Sequence, residues 1–221
     1  MALHLQRDLE HLKREILAVG TLVEEAISKS LRLLSDRDPA LIDEILEGDH
    51  VIDRREVEVE EECLKVMALH QPMAADLRFV IAVLKVNNDL ERMGDLAGNI
   101  ARRCRHAHMQ PPSSEPLVNF DELGEKVLRM VHASLDALVR SDAAIARDVC
   151  RMDEEVDELH RALYNRVKRY MPENPALVEE ALNALTVSRS LERIADLATN
   201  IAEDIVFMVD GEVIRHQPDG H

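Results

Sequence analysis

The sequence predicts an all-α protein made of two tandem three-helix bundles, on three observations. Seven Gly, eight Pro, 2% aromatics and no Trp in 221 residues leave a composition rich in Ala, Leu, Glu, Asp and Arg, which favours helix over sheet. Apolar residues recur at alternating intervals of three and four. After one Pro/Ser-rich stretch the whole pattern restarts, and it repeats individual residues as well as layout.

Taken in order, Leu5, Leu9, Leu12, Ile16, Val19, Val23 and Ala26 share one face, and Leu31 and Leu34 continue it. That spacing predicts a first helix of about thirty residues, roughly 45 Å long. "SDRDPA" stops it. Asp38 is placed to cap a second helix with Pro39 at its first position, running to about Leu69. Within it "REVEVEEE", residues 55–62, alternates like a strand. Ile52, Val59, Cys63 and Val66 keep the helical stripe through this stretch, so it reads as a solvated helix face. "HQPMAAD" provides a turn before a third helix through Arg103, and "HMQPPSSEP", residues 108–116, is a linker. A helix from about Asp121 to Val139 follows, then "RSDAA" as a turn, a helix from Ala143 to Tyr170, "MPENPA" as a turn, and a last helix to about Val209. The expected organisation is a bundle over 1–108, a linker at 109–118, a second bundle over 119–210 and a polar tail at 211–221.

The repeat is explicit. An offset of 104 pairs Val23 with Val127, Ser30 with Ser134, Leu31 with Leu135, Leu34 with Leu138, Asp38 with Asp142, Asp49 with Asp153 and Asp53 with Asp157. Past the second turn the offset is 101, and nine of the thirteen positions 89–101 match 190–202.

A net charge of -16, with 21 acids against 15 bases in residues 1–110 and 22 against 12 in the remainder, argues against binding a phosphate backbone. No nucleic-acid role is expected. Cys63, Cys104 and Cys150 are odd in number and in no CxxC pairing, which suits reduced thiols and a cytoplasmic setting. The charged opening "MALHLQRDLEHLKREILAVG" carries neither a signal-peptide core nor a membrane span.

The chemistry lies in the acids. Residues four apart on a helix share a face, and four such acid pairs occur at matching places: Asp49/Asp53, Glu91/Asp95, Asp153/Asp157 and Glu192/Asp196. In the first half both pairs centre on residue 72, in the second between 174 and 175. Two antiparallel hairpins would therefore bring four carboxylates to one level, about 30 Å from each turn. Such a group repels itself unless a cation intervenes, and oxygen-only ligands suit Mg²⁺, Ca²⁺, Mn²⁺ or oxidised iron. Arg92 and Arg193, beside the Glu of each pair, offer internal neutralisation instead. Glu56 and His160, one turn beyond Asp53 and Asp157, are candidate extra ligands. Asn99 and Asn200 lie on the same stripe as the acids. Glu47 and His50 form an ExxH like that of di-iron oxidases, but their repeat partners are Arg151 and Glu154, which argues against that chemistry. There is no P-loop, GxSxG, GxGxxG or HExxH, and no catalytic nucleophile is expected.

"LERMGDLAGNIA" and "LERIADLATNIA", each preceded by a DxxxD helix, closely resemble the PhoU family of bacterial regulators of phosphate uptake, over about Leu5 to Val209. The resemblance implies a cytoplasmic, often dimeric, non-enzymatic protein. It would link the ATPase of a phosphate ABC transporter to a phosphate-sensing histidine kinase, meeting the membrane only through partners. In that role it represses uptake and the starvation regulon. It implies metal clusters of iron, zinc, magnesium or manganese held by Asp49, Asp53, Glu91 and Asp95 at one site and by Asp153, Asp157, Glu192 and Asp196 at the other. The family's Gly is Gly94 in the first motif and Ala195 in the second, a change that removes no ligand. The competing readings are a metal-dependent phosphohydrolase and a metal-free helical adaptor.

Overall fold

Leu12, Ile16, Val19 and Val23, the predicted inner face of the first helix, are wholly buried. In the computed structural model, residues 2–108 and 118–214 are described; most of the linker and the tail beyond 214 lie outside them. Six helices follow in order: α1 Ala2–Asp36, α2 Ala40–His70, α3 Ala74–His108, α4 Asp121–Arg140, α5 Ala143–Tyr170 and α6 Val178–Asp210. The "MPENPA" turn folds as two short 3-10 turns, Met171–Glu173 and Pro175–Leu177, each with a proline in its first two positions.

Local chemistry sets the boundaries. Asp38 accepts a hydrogen bond from the Ala40 amide at 3.0 Å, so it tethers the start of α2 with Pro39 between them. Asp142, its repeat partner, accepts from the amides of Ala144 and Ile145 at 2.8 and 3.2 Å, a complete cap for α5. At the other ends the chain leaves α2, α4 and α6 through left-handed residues, Gln71, Ser141 and Gly211.

Burial shows how the helices are layered. Along α5 only Ala146, Val149, Val156 and Val167 are buried, a narrow stripe. By contrast α3 buries Leu96, Ala97 and Gly98 in succession, and α6 buries Ile194 and Ala195, then Leu197 and Ala198. Buried residues that cover most of a helix circumference mean neighbours on most sides. These two helices pack on each other at the centre of the molecule, and one continuous apolar core draws Leu12, Val59, Val83, Val127, Val149 and Leu191 from all six helices. Each such side chain contributes about 1.5–3 kcal/mol through burial. Smaller clusters close the ends, Leu33 with Leu41, Ile42, Ile45 and Ala101, and Val118 with Val167, Ala181 and Ala184.

The internal symmetry is carried into the packing between halves. Leu135 of α4 sits over Gly20 of α1, where a Cβ would meet its Cδ2 at 2.6 Å. Leu31 of α1 sits over Gly124 of α4 at the same 2.6 Å. The offset of 104 exchanges these contacts, so α1 and α4 interlock reciprocally.

Candidate metal centres

Helices α2 and α3 run antiparallel from the turn at 71–73, and Asp49 meets α3 at Gly94 and Gly98, the residue just before Asp95 and the one three residues after it. A Cβ at Gly98 would stand 3.0 Å from Asp49 Oδ2, and one at Gly94 would stand 3.7 Å from Oδ1. The missing side chains let the carboxylate reach the α3 backbone, and Asp49 is only 7% exposed. Asp49 and Asp95 thus share the level that their equal spacing from the turn predicts. Asp53 and Asp95 are exposed, and Glu91 is half-buried.

Mutual repulsion within each group of four is visible in protonation. Burial holds the Asp49 carboxyl above its ordinary pKa, Asp95 and Asp53 add to this, and Arg102 opposes it. Glu91 is raised by burial, then by Asp95, Asp53, Glu56 and Asp49. In the second half Asp153 is pushed up to about 6, first by burial and then by Asp196 and Asp157. Glu192 and Asp196 are also raised, each first by burial. Every predicted acid therefore belongs to one of two electrostatically connected clusters, the first made of Asp49, Asp53, Glu91 and Asp95, the second of Asp153, Asp157, Glu192 and Asp196.

Of the two arginines expected to neutralise the acids, Arg193 does act on Glu192 and Asp196, lowering both, while Arg92 does not serve its cluster. Arg92 turns to Asp89, 3.2 Å away, rather than to the cluster. Asp49 faces Arg102 at 3.8 Å, and Glu192 faces Arg189 at 3.3 Å. The repeat hides Arg102, because its partner position is Glu203; the second cluster takes its positive charge from Arg189 and Arg193, which hold Asp196 down, and from Arg161 beside Asp157.

Glu56 and His160 are tied to the central helices. The Asn87 amide donates to the Glu56 backbone carbonyl at 2.8 Å, and the His160 ring lies 2.7 Å from the Ser188 hydroxyl. Asn87 and Ser188 are repeat equivalents that differ in kind, so identity along the chain does not reveal them. Burial and the nearby Arg189 lower the His160 pKa, favouring the neutral ring. Asn99 accepts from Arg102 at 3.1 Å.

The donor set fits a hard cation. Among the described residues, Asp49 Oδ1, Asn87 Oδ1 and Glu192 Oε2 are buried in or beside the clusters with no hydrogen-bond partner, while the Thr199 hydroxyl lies against Asp153 and opposes the rise of its pKa. Orphaned oxygens cost free energy unless something positive meets them. Among the described residues no three His, Cys, Asp or Glu side chains already converge to hold an ion, as expected of like charges with nothing between them. The three cysteines belong to the packing instead; burial pushes Cys63 up to about 12 and Cys104 and Cys150 up to about 11.

A family model described as the PhoU domain matches the chain twice, over residues 16–104 and 120–205. The chain belongs to the PhoU family. All eight acids fall within the two PhoU segments. The chain is 37% identical to a Pseudomonas aeruginosa protein named phosphate-specific transport system accessory protein PhoU homolog, over 95% of this chain and 86% of that one. An Aquifex aeolicus homolog of the same name is also 37% identical, covering 96% and 95%. The Escherichia coli PhoU is 33% identical over 95% and 86%. Among solved structures, PhoU from Pseudomonas aeruginosa superposes with a TM-score of 0.90 at 36% identity, covering 94% of this chain and 99% of that one. The phosphate transport system regulatory protein PhoU from Streptococcus pneumoniae gives 0.86 at 30%, covering 95% and 99%.

Proposed function

We propose that this chain regulates phosphate uptake as a metal-binding accessory protein of a phosphate transport system. The observation that carries the reading is the pair of acid clusters, each with a buried carboxylate oxygen that no protein group satisfies, Asp49 Oδ1 in one and Glu192 Oε2 in the other. Asp49, Asp53, Glu91 and Asp95 would hold ions in the first half, and Asp153, Asp157, Glu192 and Asp196 in the second. A bound cation supplies positive charge that joins the second and third helices of a half. Asp49 is the buried member of the first set, and in the second Asp153, Asp157 and Glu192 are half-buried with Asp196 exposed. Iron, zinc, magnesium and manganese are the candidate ions.

In this reading the rigid six-helix body presents surfaces to the transporter ATPase and to a phosphate-sensing histidine kinase, as a cytoplasmic homodimer. It damps uptake and the starvation regulon and catalyses nothing. No described helix is long and apolar enough to cross a membrane. The named relatives are accessory and regulatory proteins, which supports regulation over hydrolysis.

Elemental analysis of protein purified without chelator tests the metal. Replacing Asp53 and Glu91 together by Asn and Gln should remove the ions of the first half and leave those of the second. An unchanged metal-to-protein ratio would refute the assignment.

A further inference from the structure

Between α3 and α6 a cleft of about 300 Å³ is lined by Leu96, Asn99 and Arg103 from α3 and by Thr186, Arg189, Ser190 and Arg193 from α6. Among the described residues three arginines and no acid line it, in a chain whose net charge is -16.

The internal repeat supplies a control. The offset of 101 carries these positions to the opposite side of the same helix pair, where Arg103 becomes Asp204, Ser190 becomes Asp89, Thr186 becomes Lys85 and Arg193 becomes Arg92. On that side the charges cancel. Lys85 Nζ lies 3.1 Å from Asp204 Oδ1, and Arg92 lies 3.2 Å from Asp89. On the cleft side both acids are gone and one has been replaced by a base.

Arg189 is partly engaged by Glu192 at 3.3 Å; Arg193 lies close enough to Glu192 and Asp196 to lower their pKa values but makes no ion pair with either, and Arg103 makes no ion pair among the described residues. Thr186 and Ser190 donate to helix carbonyls, and Asn99 uses its carbonyl oxygen on Arg102, which leaves its amide N–H groups as donors. Converging guanidinium groups repel unless an anion joins them, and their planar forks match tetrahedral oxyanions. We infer that this cleft is an oxyanion site that takes the phosphate dianion between Arg103 and Arg193, with Arg189 and the Asn99 amide as supporting donors; the choice of phosphate among oxyanions rests on the proposed role in phosphate uptake. The inference needs no metal.

The test is titration of inorganic phosphate into the chelator-treated full chain by calorimetry, with chloride holding ionic strength constant. Saturable binding at one site per chain is expected. Arg103→Gln and Arg193→Gln should each weaken it roughly tenfold or more, the loss of one charge-assisted hydrogen bond. Arg92→Gln, at the pseudo-equivalent position, should leave it unchanged. All three side chains are exposed, so unchanged melting temperatures confirm folding. A parallel titration with glycerol phosphate separates the free ion from a phosphoryl group on a larger molecule; weaker binding of the ester is the expected result, and tighter binding overturns the assignment to the free ion. No saturable binding, equal loss in Arg92→Gln, or binding that appears only after metal is restored would overturn the inference. Metal content measured on the untreated protein tests the metal reading separately.

Discussion

Asp153→Asn should stabilise the metal-free protein at neutral pH, although it deletes a charged group from a candidate ligand set. In the folded chain Asp153 titrates at about 6, against an ordinary value of 3.8, with burial first among the causes and Asp196 and Asp157 next. Between those values the folded state holds a proton that the unfolded chain has released, so this group makes stability fall as pH rises from about 4 to about 6. Below that window the contribution is absent; above it the loss is complete. A shift of a little over two pH units corresponds to about 3 kcal/mol. Asp153 keeps some contact with solvent, so about 2 kcal/mol is the working figure. For a chain of this size that is about 4–8 °C in melting temperature. Calorimetric melting of wild type and variant in chelator, at pH 4 and at pH 7.5, isolates this group, since shifts at the other acids largely cancel in the difference. The variant should match wild type at pH 4 and exceed it at pH 7.5. With saturating metal the order should reverse, because the ion stabilises only the state whose ligands it binds. A variant less stable than wild type in chelator at pH 7.5 would show that Asp153 carries no burden of burial and repulsion, and the cluster argument would fail with it.

Two further outcomes concern the packing of the halves. Gly20→Val forces side-chain atoms into the space held by Leu135 and should destabilise the chain by about 1–3 kcal/mol, with Leu135→Ala restoring part of the loss in the double variant, measured by urea unfolding. Lys85→Ala strips the cation from Asp204, a residue 2% exposed, and should cost about 2 kcal/mol by the same measurement.

Much of this architecture is legible in the sequence, because periodicity reports which face of a helix is buried. Ala143 and Tyr170 bound the fifth helix as read from the apolar pattern and flanking turns. The acid pairs and their common level follow from spacing alone, since helical rise is uniform on both arms of a hairpin. Periodicity does not say which helix covers a face. The central packing of α3 on α6 therefore had only one local sign, the small and apolar residues running nearly all round "LERMGDLAGNIA" and its copy. Arginine partners were equally hidden: Arg92 flanks Glu91 in sequence, but successive helical residues point about 100° apart, which carries it away from the cluster toward Asp89. The cleft needs residues from two helices about a hundred positions apart, and no motif spans that distance.

The reciprocal seating of Leu135 on Gly20 and of Leu31 on Gly124 has a consequence for origins. Contacts exchanged by a twofold axis are those that two identical half-length chains would form on meeting, so the present molecule has the form of a dimer whose subunits became covalently joined. A pair of free copies must keep both sides alike. Fusion lifts that restriction, and the unlike charges now found on opposite sides of the α3–α6 crossing are a divergence that only a single chain can encode.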